Sequence, residues 1–550
     1  MKYADAVCSR FPLFVAAFLL LLLSFGPPYV FGEDQPKSLL SNGDLQRLTA
    51  GSQWPEDWPH GDGVTFEKED GVQFLRLRSG KPGQMVMVYR QMPIPSPRPA
   101  ALEIRLRVRY SDIKPGEKAW NDGRIICHFK NAAAQVVNPE PPTPSLHGSS
   151  DKWVERDYFV KVPKGAKIFE AMPCLFQSAS GTLDIGRFEV FAASADKLPN
   201  PPPIIPSALM VSTIPAEKLP PELHVVGNGI ETVAGGKPVW LQGLCIDSLE
   251  WSGGGEHISQ SIVVAIEQWK ANVIRLPITE EFWFGRNKWQ HDGGIGYRKI
   301  VDAAIEAVAS RGGYLALDLH RFGAPMPVHA EFWMDAATRY KNHPAVIFEL
   351  FNEAHSISWK TWRDGGPLKE PAAHKDANAA ENSEEEEGET SVGMQALVDA
   401  IRKTGARNPI IAGGLDWGYD LSGITQGFAL KDRDDADGVI YSSHIYPWKK
   451  DWQGKVLTAA AKYPIFVGEI GCPLERMPFI PPAQHEDPYT WAPDALGLIQ
   501  KYKLNWTGFS FHPTCAPTVI SDWKYTPTPY WGAFVKEALA GKAFEMKKMR

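Results

Sequence analysis

Two hydrophobic patterns divide the chain. Between residues 33 and 195, apolar and polar positions alternate in short runs such as Val72–Arg78 and Leu102–Arg109, and turn-rich stretches separate these runs. Alternation with a period of two places the apolar side chains on one face of a half-buried strand. No amphipathic helix of useful length occurs in this region. The pattern therefore predicts an all-β antiparallel sandwich.

From residue 223 the pattern changes, and apolar runs alternate with helical segments such as Ile258–Lys270, Tyr297–Arg311 and Pro493–Lys501. Strands that alternate with helices predict an α/β fold, here a (β/α)8 TIM barrel over residues 223–542. The proline-rich stretch at 196–222 predicts an extended linker between the two regions. The eight predicted barrel strands are Val239–Asp247, Val273–Ile278, Tyr314–His320, Val346–Glu353, Pro409–Gly414, Val439–Tyr446, Pro464–Gly471 and Trp506–His512.

Residues 1–32 predict a signal peptide. Two basic residues, Lys2 and Arg10, precede an apolar run, and Val30-Phe31-Gly32 offers a cleavage site after Gly32. The run is short for a membrane span, although an uncleaved anchor remains an alternative. We therefore predict a secreted or periplasmic protein that has no membrane contact after cleavage.

Cleavage of the signal would leave five cysteines, which is an odd number, so at least one thiol has no partner within the chain. By location, Cys127 could pair with Cys174, and Cys472 could pair with Cys515. Buried free thiols are the alternative to both disulfides. No CxxC spacing indicates structural zinc.

The charge and composition of the chain narrow the range of possible functions. The net charge of -6 gives no reason to expect a nucleic-acid partner, and nineteen tryptophans supply aromatic surfaces that suit sugar rings.

One segment departs from the alternation of strands and helices. Residues 364–393, which contain Glu384-Glu385-Glu386-Glu387, predict a solvated, disordered insertion after the fourth strand.

Two of the predicted barrel strands end in a residue with a carboxylate side chain. Glu353 ends the run that begins at Phe348, and Glu469 ends the run that begins at Phe466. Barrels of this type place their catalytic groups at the carboxyl ends of strands. Two acids that face one cavity are the minimal equipment for breaking a glycosidic bond. The other polar residues at strand ends are Arg275, His320, Asn352, His444 and Tyr446.

The order of these residues resembles glycoside hydrolase family five, the cellulase family, from about residue 223 to 540. The resemblance implies a (β/α)8 glycosidase that retains anomeric configuration and uses no metal and no cofactor. It is carried by the strings Leu223-His224-Val225-Val226-Gly227, Gly236-Lys237-Pro238-Val239-Trp240-Leu241-Gln242-Gly243, Val273-Ile274-Arg275, Leu317-Asp318-Leu319-His320, Phe351-Asn352-Glu353, His444-Ile445-Tyr446 and Gly468-Glu469-Ile470-Gly471.

The resemblance also implies catalytic roles. Glu353 would be the general acid, which needs a raised pKa to keep its proton, and Glu469 would be the nucleophile, which must stay ionised. Arg275 would keep Glu469 charged, Tyr446 would donate a hydrogen bond to it, and His444 would help to set the protonation of Glu353.

Two further residues would contact the sugar. Asn352 would bind the 2-hydroxyl, and His320 would line the same subsite. Carboxyl groups about 5 Å apart would give retention through a covalent glycosyl-enzyme, whereas about 6.5 Å or more would indicate inversion.

The sequence departs from the family pattern at two positions. Phe509 stands where the family usually has the tryptophan platform of the eighth strand, and Ala354 follows Glu353 where the family often has proline. The first change places ordinary cellulose specificity in question, because phenylalanine lacks the indole N–H and some of its area. Trp417 and Trp448 are candidates for stacking on sugar rings, with closure of the barrel top as the alternative for each.

The first region also resembles a known class of module. Asn42-Gly43-Asp44, followed by Trp58, is similar to the jelly-roll carbohydrate-binding modules of secreted glycosidases. Candidates for sugar stacking there are Trp54, Trp58, Trp120 and Trp153. The alternative is that these tryptophans belong to the core of the domain.

The sequence as a whole predicts a secreted, monomeric, retaining glycoside hydrolase that cleaves a β-linked polysaccharide of glucan or mannan type, acting as an endo-β-glycanase. Its partner is then a polysaccharide or oligosaccharide. One alternative is a catalytically inactive carbohydrate-binding protein on the same scaffold. Another is a metal hydrolase that uses His320, His444 and His512, but the first strand lacks the HxH that such a site would need.

Overall fold

The structure is a computed structural model of the 550-residue chain. It describes residues 37–117, 121–137, 141–150, 152–198, 206–287, 290, 292–368, 390–478 and 480–550. The predicted signal peptide and most of the predicted insertion at 364–393 lie outside these residues. The chain forms two compact units, residues 1–200 and 201–550.

The first unit contains two antiparallel five-stranded sheets. Strands of the first sheet lie side by side in the order Val64–Glu69, Val72–Arg78, Ser180–Ala193, Ala101–Lys114 and Val154–Lys161. The second sheet consists of Val86–Met87, Arg90–Pro93, Ile168–Leu175, Gly123–Lys130 and Ser145–Leu146. Alternate residues such as Leu106 and Phe129 point from the two sheets into one shared core, as a period of two requires. The more specific jelly-roll assignment stays a prediction.

The tryptophans of this unit pack mainly against protein. Trp58 is buried, and its backbone carbonyl accepts a hydrogen bond of 2.7 Å from the indole of Trp54. Trp153 contacts the ring of Phe74 edge to face at 5.4 Å. Trp120 lies outside the described residues. Burial excludes Trp58 as a sugar platform in this conformation and leaves Trp54 and Trp153 only partly accessible.

The second unit is built around a closed barrel of eight parallel strands. This confirms the predicted (β/α)8 barrel. Seven of the predicted runs enclose the observed strand, whereas the eighth strand begins one residue before the prediction. The strands are Gln242–Cys245 (β1), Val273–Ile278 (β2), Tyr314–Leu319 (β3), Val346–Glu349 (β4), Ile410–Gly413 (β5), Val439–Ile445 (β6), Ile465–Ile470 (β7) and Asn505–Gly508 (β8).

Helices follow most of the strands, and the longer ones bury an apolar face. In the helix Ile295–Ala309, the buried residues Val301, Ala304, Ile305 and Val308 recur with the helical period. The α-helices are Ile258–Val263, Glu280–Trp283, Ile295–Ala309, Pro327–Tyr340, Trp359–Asp364, Gly393–Lys403, Leu415–Gly418, Thr458–Ala460, Pro488–Tyr502 and Gly532–Leu539. Within the described ranges, none of the helices combines the length and the apolar character that crossing a bilayer requires.

The start of the helix near the C-terminus was predicted wrongly. The helix begins at Pro488 rather than Pro493, so Pro493 lies inside it. The side chain of Asp487 accepts a hydrogen bond from the backbone N–H of Tyr489, and Pro488 occupies the first turn, where its missing N–H does no harm.

One end of the barrel is covered by a short antiparallel hairpin, Leu223–Val226 with Gly229–Thr232. Its residues Leu223 and Ile230 share an apolar cluster with Val273 and Tyr314, which begin β2 and β3. The amino-terminal end is therefore packed with side chains. The polar groups predicted at strand ends belong to the opposite end.

Candidate active site

The two predicted catalytic acids are held by different supports. Glu469 lies within β7. Strand β4 ends at Glu349, earlier than the predicted end at Glu353, and Glu353 belongs to a separate short strand, Glu353–Ala354, that pairs with Phe322–Gly323. The backbone N–H of Glu353 donates to the carbonyl of Arg321 at 3.0 Å. These supports bring a carboxylate oxygen of Glu353 within 4.8 Å of one of Glu469.

Both acids line one cavity of about 680 Å³ at the carboxyl end of the barrel. Eight of the ten predicted site residues line it, and the other two, Arg275 and His444, lie directly behind the acids. The residues that line the cavity are His320, Phe322, Asn352, Glu353, Trp417, Tyr446, Trp448, Lys449, Glu469, Met477, Ile480, Pro481, Gln484, Phe509, Ala516 and Pro517.

Glu469 is surrounded by donors. Its Oε1 accepts a hydrogen bond of 2.8 Å from Arg275 Nη1, and its Oε2 accepts one of 2.6 Å from the hydroxyl of Tyr446. His444 Nδ1 lies 3.6 Å from Oε2. Burial raises the pKa of this carboxyl, but the charges of His444, Arg275 and His320 and the Tyr446 hydrogen bond outweigh burial and lower the pKa to about 2. The group is therefore ionised at neutral pH.

Arg275 joins several strand ends. It is fully buried, and besides Glu469 it contacts Glu349 through Nε at 2.8 Å and Asp318 through Nη2 at 3.0 Å. Arg275 is therefore a partner of the proposed nucleophile and, at the same time, a structural partner of two deeper acids. Nη2 also donates to Asn352 Oδ1 at 2.7 Å. Because arginine can only donate, the amide oxygen of Asn352 must face it, and Nδ2 is directed elsewhere.

The second acid has a histidine partner. His444 Nδ1 lies 2.9 Å from Glu353 Oε1, and the side chain of Glu353 is 13% exposed. Two glycines make room for the imidazole. A Cβ added at Gly418 would lie 3.0 Å from the ring, and one added at Gly468 would lie 3.1 Å from Nε2. Any side chain at either position would crowd the ring.

Aromatic side chains surround the acids. Phe509 is 8% exposed and meets Tyr446 edge to face at 6.5 Å. Trp448 stacks on Tyr446 with ring centres 4.8 Å apart. Trp417 is 47% exposed and stacks on His355 at 3.6 Å. Trp417 is thus the most accessible of the three predicted platforms.

Some residues of the site escaped the sequence analysis. Phe322 lines the cavity two residues after His320, and Lys449 anchors the loop of Trp417 by donating to the carbonyl of Asp416 at 2.6 Å. Glu250 contacts His320 at 2.6 Å. The only sequence cue for Phe322 was its position just beyond a strand end, and no comparable cue marks Glu250.

The geometry also tests the alternative of a metal hydrolase with histidine ligands. Within the described part of the chain, Glu353, His444 and Glu469 are the residues whose ligand atoms come close enough together to hold an ion. The histidine set His320, His444 and His512 does not form such a group there. His512 instead lies 3.3 Å from Glu256.

The five cysteines among the described residues, Cys127, Cys174, Cys245, Cys472 and Cys515, are all free thiols in the structure. Neither of the disulfides considered from the sequence is formed. Burial raises the pKa of Cys127 and of Cys174 to about 12, so neither thiol is reactive at neutral pH.

A comparison with protein families identifies the barrel. The model of "Cellulase (glycosyl hydrolase family 5)" matches residues 233–514, more than half of the chain, and this range includes both Glu353 and Glu469. The chain belongs to glycoside hydrolase family 5. The resemblance found in the sequence is thereby confirmed at the level of the family.

Curated relatives are distant from this chain. Endoglucanase MaCel5A of Microbulbifer sp. (strain ALW1) is 23% identical over 314 residues, which are 53% of this chain and 51% of the relative. Endoglucanase 1 of Saitozyma flava is 32% identical over 104 residues, 17% of this chain and 30% of the relative. The chain spans about half or less of the length of these relatives.

Among solved structures, the beta-glucanase SdGluc5_26A from Saccharophagus degradans in complex with cellotetraose matches with a TM-score of 0.47 and 23% identity. The match covers 63% of this chain and 99% of that one.

Proposed function

We propose that the barrel is a retaining glycoside hydrolase that cleaves internal β-linked bonds of a glucan-type polysaccharide. The observation that carries the proposal is the pair Glu353 and Glu469, whose oxygens come within 4.8 Å across one cavity. Retaining enzymes hold their two carboxyl groups about 5 Å apart, whereas inverting enzymes leave room for a water molecule at about 6.5–9.5 Å. Family membership and the endoglucanase names of the relatives support a β-glucan as the substrate class.

In the first step, Glu353 donates its proton to the glycosidic oxygen while the ionised Glu469 attacks the anomeric carbon. The bond from that carbon to the leaving oxygen breaks, and an ester bond to Glu469 forms. Glu353 becomes a carboxylate as it gives up the proton, and His444, 2.9 Å away, is placed to donate a hydrogen bond to it.

In the second step, Glu353 takes a proton from a water molecule that attacks the same carbon. The ester bond breaks, and Glu469 leaves as a carboxylate. Arg275 and Tyr446 stabilise that charge through hydrogen bonds of 2.8 and 2.6 Å. Two inversions at one carbon give net retention.

Asn352 is proposed to bind the sugar hydroxyl next to the reacting carbon. Its oxygen is taken by Arg275, and its Nδ2 is buried with no hydrogen-bond partner among the described residues. A buried donor without a partner costs about 1–3 kcal/mol, so a substrate hydroxyl that accepts from it is favoured.

The test compares wild type with Glu469→Gln and Glu353→Gln on β-glucan and β-mannan. We expect both variants to lose nearly all turnover on the glucan, and we expect proton NMR of early wild-type product to show the β anomer first. Equal behaviour of wild type and variants would instead support the carbohydrate-binding alternative. An early α anomer would refute retention, and loss of wild-type activity in a chelator would favour a metal hydrolase.

We further propose that the protein is exported as a monomer and that the two-sheet unit binds carbohydrate. Export predicts a mature N-terminus at Glu33, which mass spectrometry of secreted protein would detect. Light scattering tests the monomer. Retention of the full-length Glu469→Gln variant on an insoluble glucan, compared with a chain that begins after residue 200, tests the binding role of the two-sheet unit.

A further inference from the structure

His320 is held between two carboxylates. Its Nδ1 lies 2.7 Å from Asp318 Oδ2, and its Nε2 lies 2.6 Å from Glu250 Oε2. A neutral imidazole carries one N–H and can donate to only one of two ionised carboxylates, whereas an imidazolium donates to both. The geometry therefore favours a charged ring whose two N–H groups are both occupied within the protein.

The loop that carries Glu250 is fixed at its base. Ser248 has a backbone φ of +77° and is fully buried, and its Oγ accepts a hydrogen bond of 2.8 Å from the N–H of Glu256. The carbonyl of Leu249 accepts one of 2.6 Å from the hydroxyl of Tyr297. Glu250 follows directly and has a side chain that is 15% exposed. The loop after β1 thus presents this carboxylate from an anchored backbone.

Electrostatics agree with this arrangement. Burial alone would lower the pKa of His320, but Glu250 and Asp318 outweigh burial and raise that pKa well above its ordinary value. The positive charge of His320 in turn helps to lower the pKa of Glu469. Glu250 therefore acts on the proposed nucleophile through His320, without touching it.

We propose that Glu250 is a positioning residue of the active site, which keeps His320 as a fixed imidazolium throughout the working pH range. This inference deepens the proposed function and rests on it for the role of Glu469. It also changes the expectation for His320. The ring lines the cavity, but its N–H groups are engaged by protein, so the ring presents its surface, and not a free donor, to a sugar.

Other titratable groups lie within electrostatic reach of the Glu250–His320 pair. Burial and then Glu250 raise the pKa of Asp247 to about 7, so this neighbour can lose its proton near neutral pH and replace part of a missing charge. The groups that face the pair from the surrounding elements are Asp247, Tyr297, Asp318, Glu469, His512 and Cys515.

The experiment is a pH titration of the full chain labelled with 15N-histidine, with the His320 signals assigned by their loss in His320→Gln. In Glu250→Gln, which keeps the shape and removes the charge, the pKa of His320 should fall by about 1–3 units. Glu250→Asp keeps the charge and should preserve most of the raised pKa. Glu250→Gln combined with Asp247→Asn removes the substitute charge and should lower the pKa at least as far.

The activity profile gives a second readout. As pH rises through the new His320 pKa, the ring becomes neutral and is no longer held in its fixed position beside the acids. The kcat/KM of Glu250→Gln should therefore fall about tenfold relative to wild type over this range. Glu256→Gln is the matched control, because Glu256 is a carboxylate of the same loop that contacts a different histidine, His512. It should leave both profiles unchanged.

A His320 that stays protonated over the same range in Glu250→Gln and in the double variant would overturn the inference, as would an equal shift in Glu256→Gln. The NMR titration needs no turnover. If wild type proved inactive on all glycans, the proposed function would fail while the role of Glu250 would still be tested.

Discussion

Removal of one hydroxyl tests the electrostatics of the proposed nucleophile. The hydroxyl of Tyr446 donates to Glu469 Oε2 at 2.6 Å, and Tyr446→Phe deletes this donor while keeping the ring that stacks on Trp448. Burial and then the charge of Glu469 raise the pKa of Tyr446 well above its ordinary value, so the hydroxyl stays a donor at every pH of interest. The variant therefore isolates one hydrogen bond.

The size of the effect follows from the chemistry of the bond. A hydrogen bond to a charged group contributes about 1.5–3 kcal/mol, which corresponds to about 1–2 pKa units when it favours only the ionised form. The pKa of Glu469, now about 2, should therefore rise to about 3–4 in Tyr446→Phe. Arg275 and His444 remain in place and prevent a larger rise.

The assay is the acid limb of kcat/KM, measured in brief incubations after transfer from neutral buffer so that unfolding does not intervene. The limb should move to higher pH by the calculated amount. Tyr441→Phe is the control, because Tyr441 is a buried tyrosine of β6 whose hydroxyl binds the N–H of Leu430, away from the acids. An acid limb that is the same in Tyr446→Phe as in wild type, or that moves equally in Tyr441→Phe, would refute the reasoning.

Three further predictions concern stability and the aromatic residues. The folded-state pKa of Glu469 is about 2, whereas its ordinary value is 4.5. The charge of Glu469 therefore contributes about 3 kcal/mol to the free energy of unfolding above pH 4.5, and this contribution is lost as pH falls toward 2. The difference in thermal unfolding temperature between wild type and Glu469→Gln should shrink over that interval. Phe509→Ala should raise KM about tenfold, because an aromatic platform contributes about 1–1.5 kcal/mol, and an unchanged KM would exclude Phe509 as a platform. If Trp417 stacks on a sugar ring away from the cleaved bond, Trp417→Ala should raise KM for long oligosaccharides but not for a short aryl glycoside. Equal effects on both substrates would contradict this distant position.

Strand ends were the part of this site that a sequence can reveal. Apolar runs fix where parallel strands lie, and polar residues near the carboxyl ends of these strands face the cavity, so Asn352 and Glu469 could be located without coordinates. Arg275, which was expected at a strand end, lies instead in the middle of β2. The family resemblance rested on the same positions, and for that reason it held.

The missed features depend on loops and on contacts across the barrel. Nothing in the pattern of the segment after β1 distinguishes Glu250 from a surface glutamate, since its partner His320 is far away in sequence. The separate strand of Glu353 also escaped, because two residues carry no period. The helix at Pro488 begins early because of a capping contact by Asp487, which outweighs the cue that a proline gives at Pro493.

The separate supports of the two acids have a practical consequence for protein engineering. Glu469 is part of the barrel wall, and a change that moves it disturbs the ring of strands. Glu353 is carried by a two-residue ladder between the segments that follow β3 and β4. Exchange of the segment around Phe322 therefore offers a way to change the orientation of the proton donor, and so to alter the alkaline side of the activity profile. The nucleophile Glu469 would keep its position in the barrel wall.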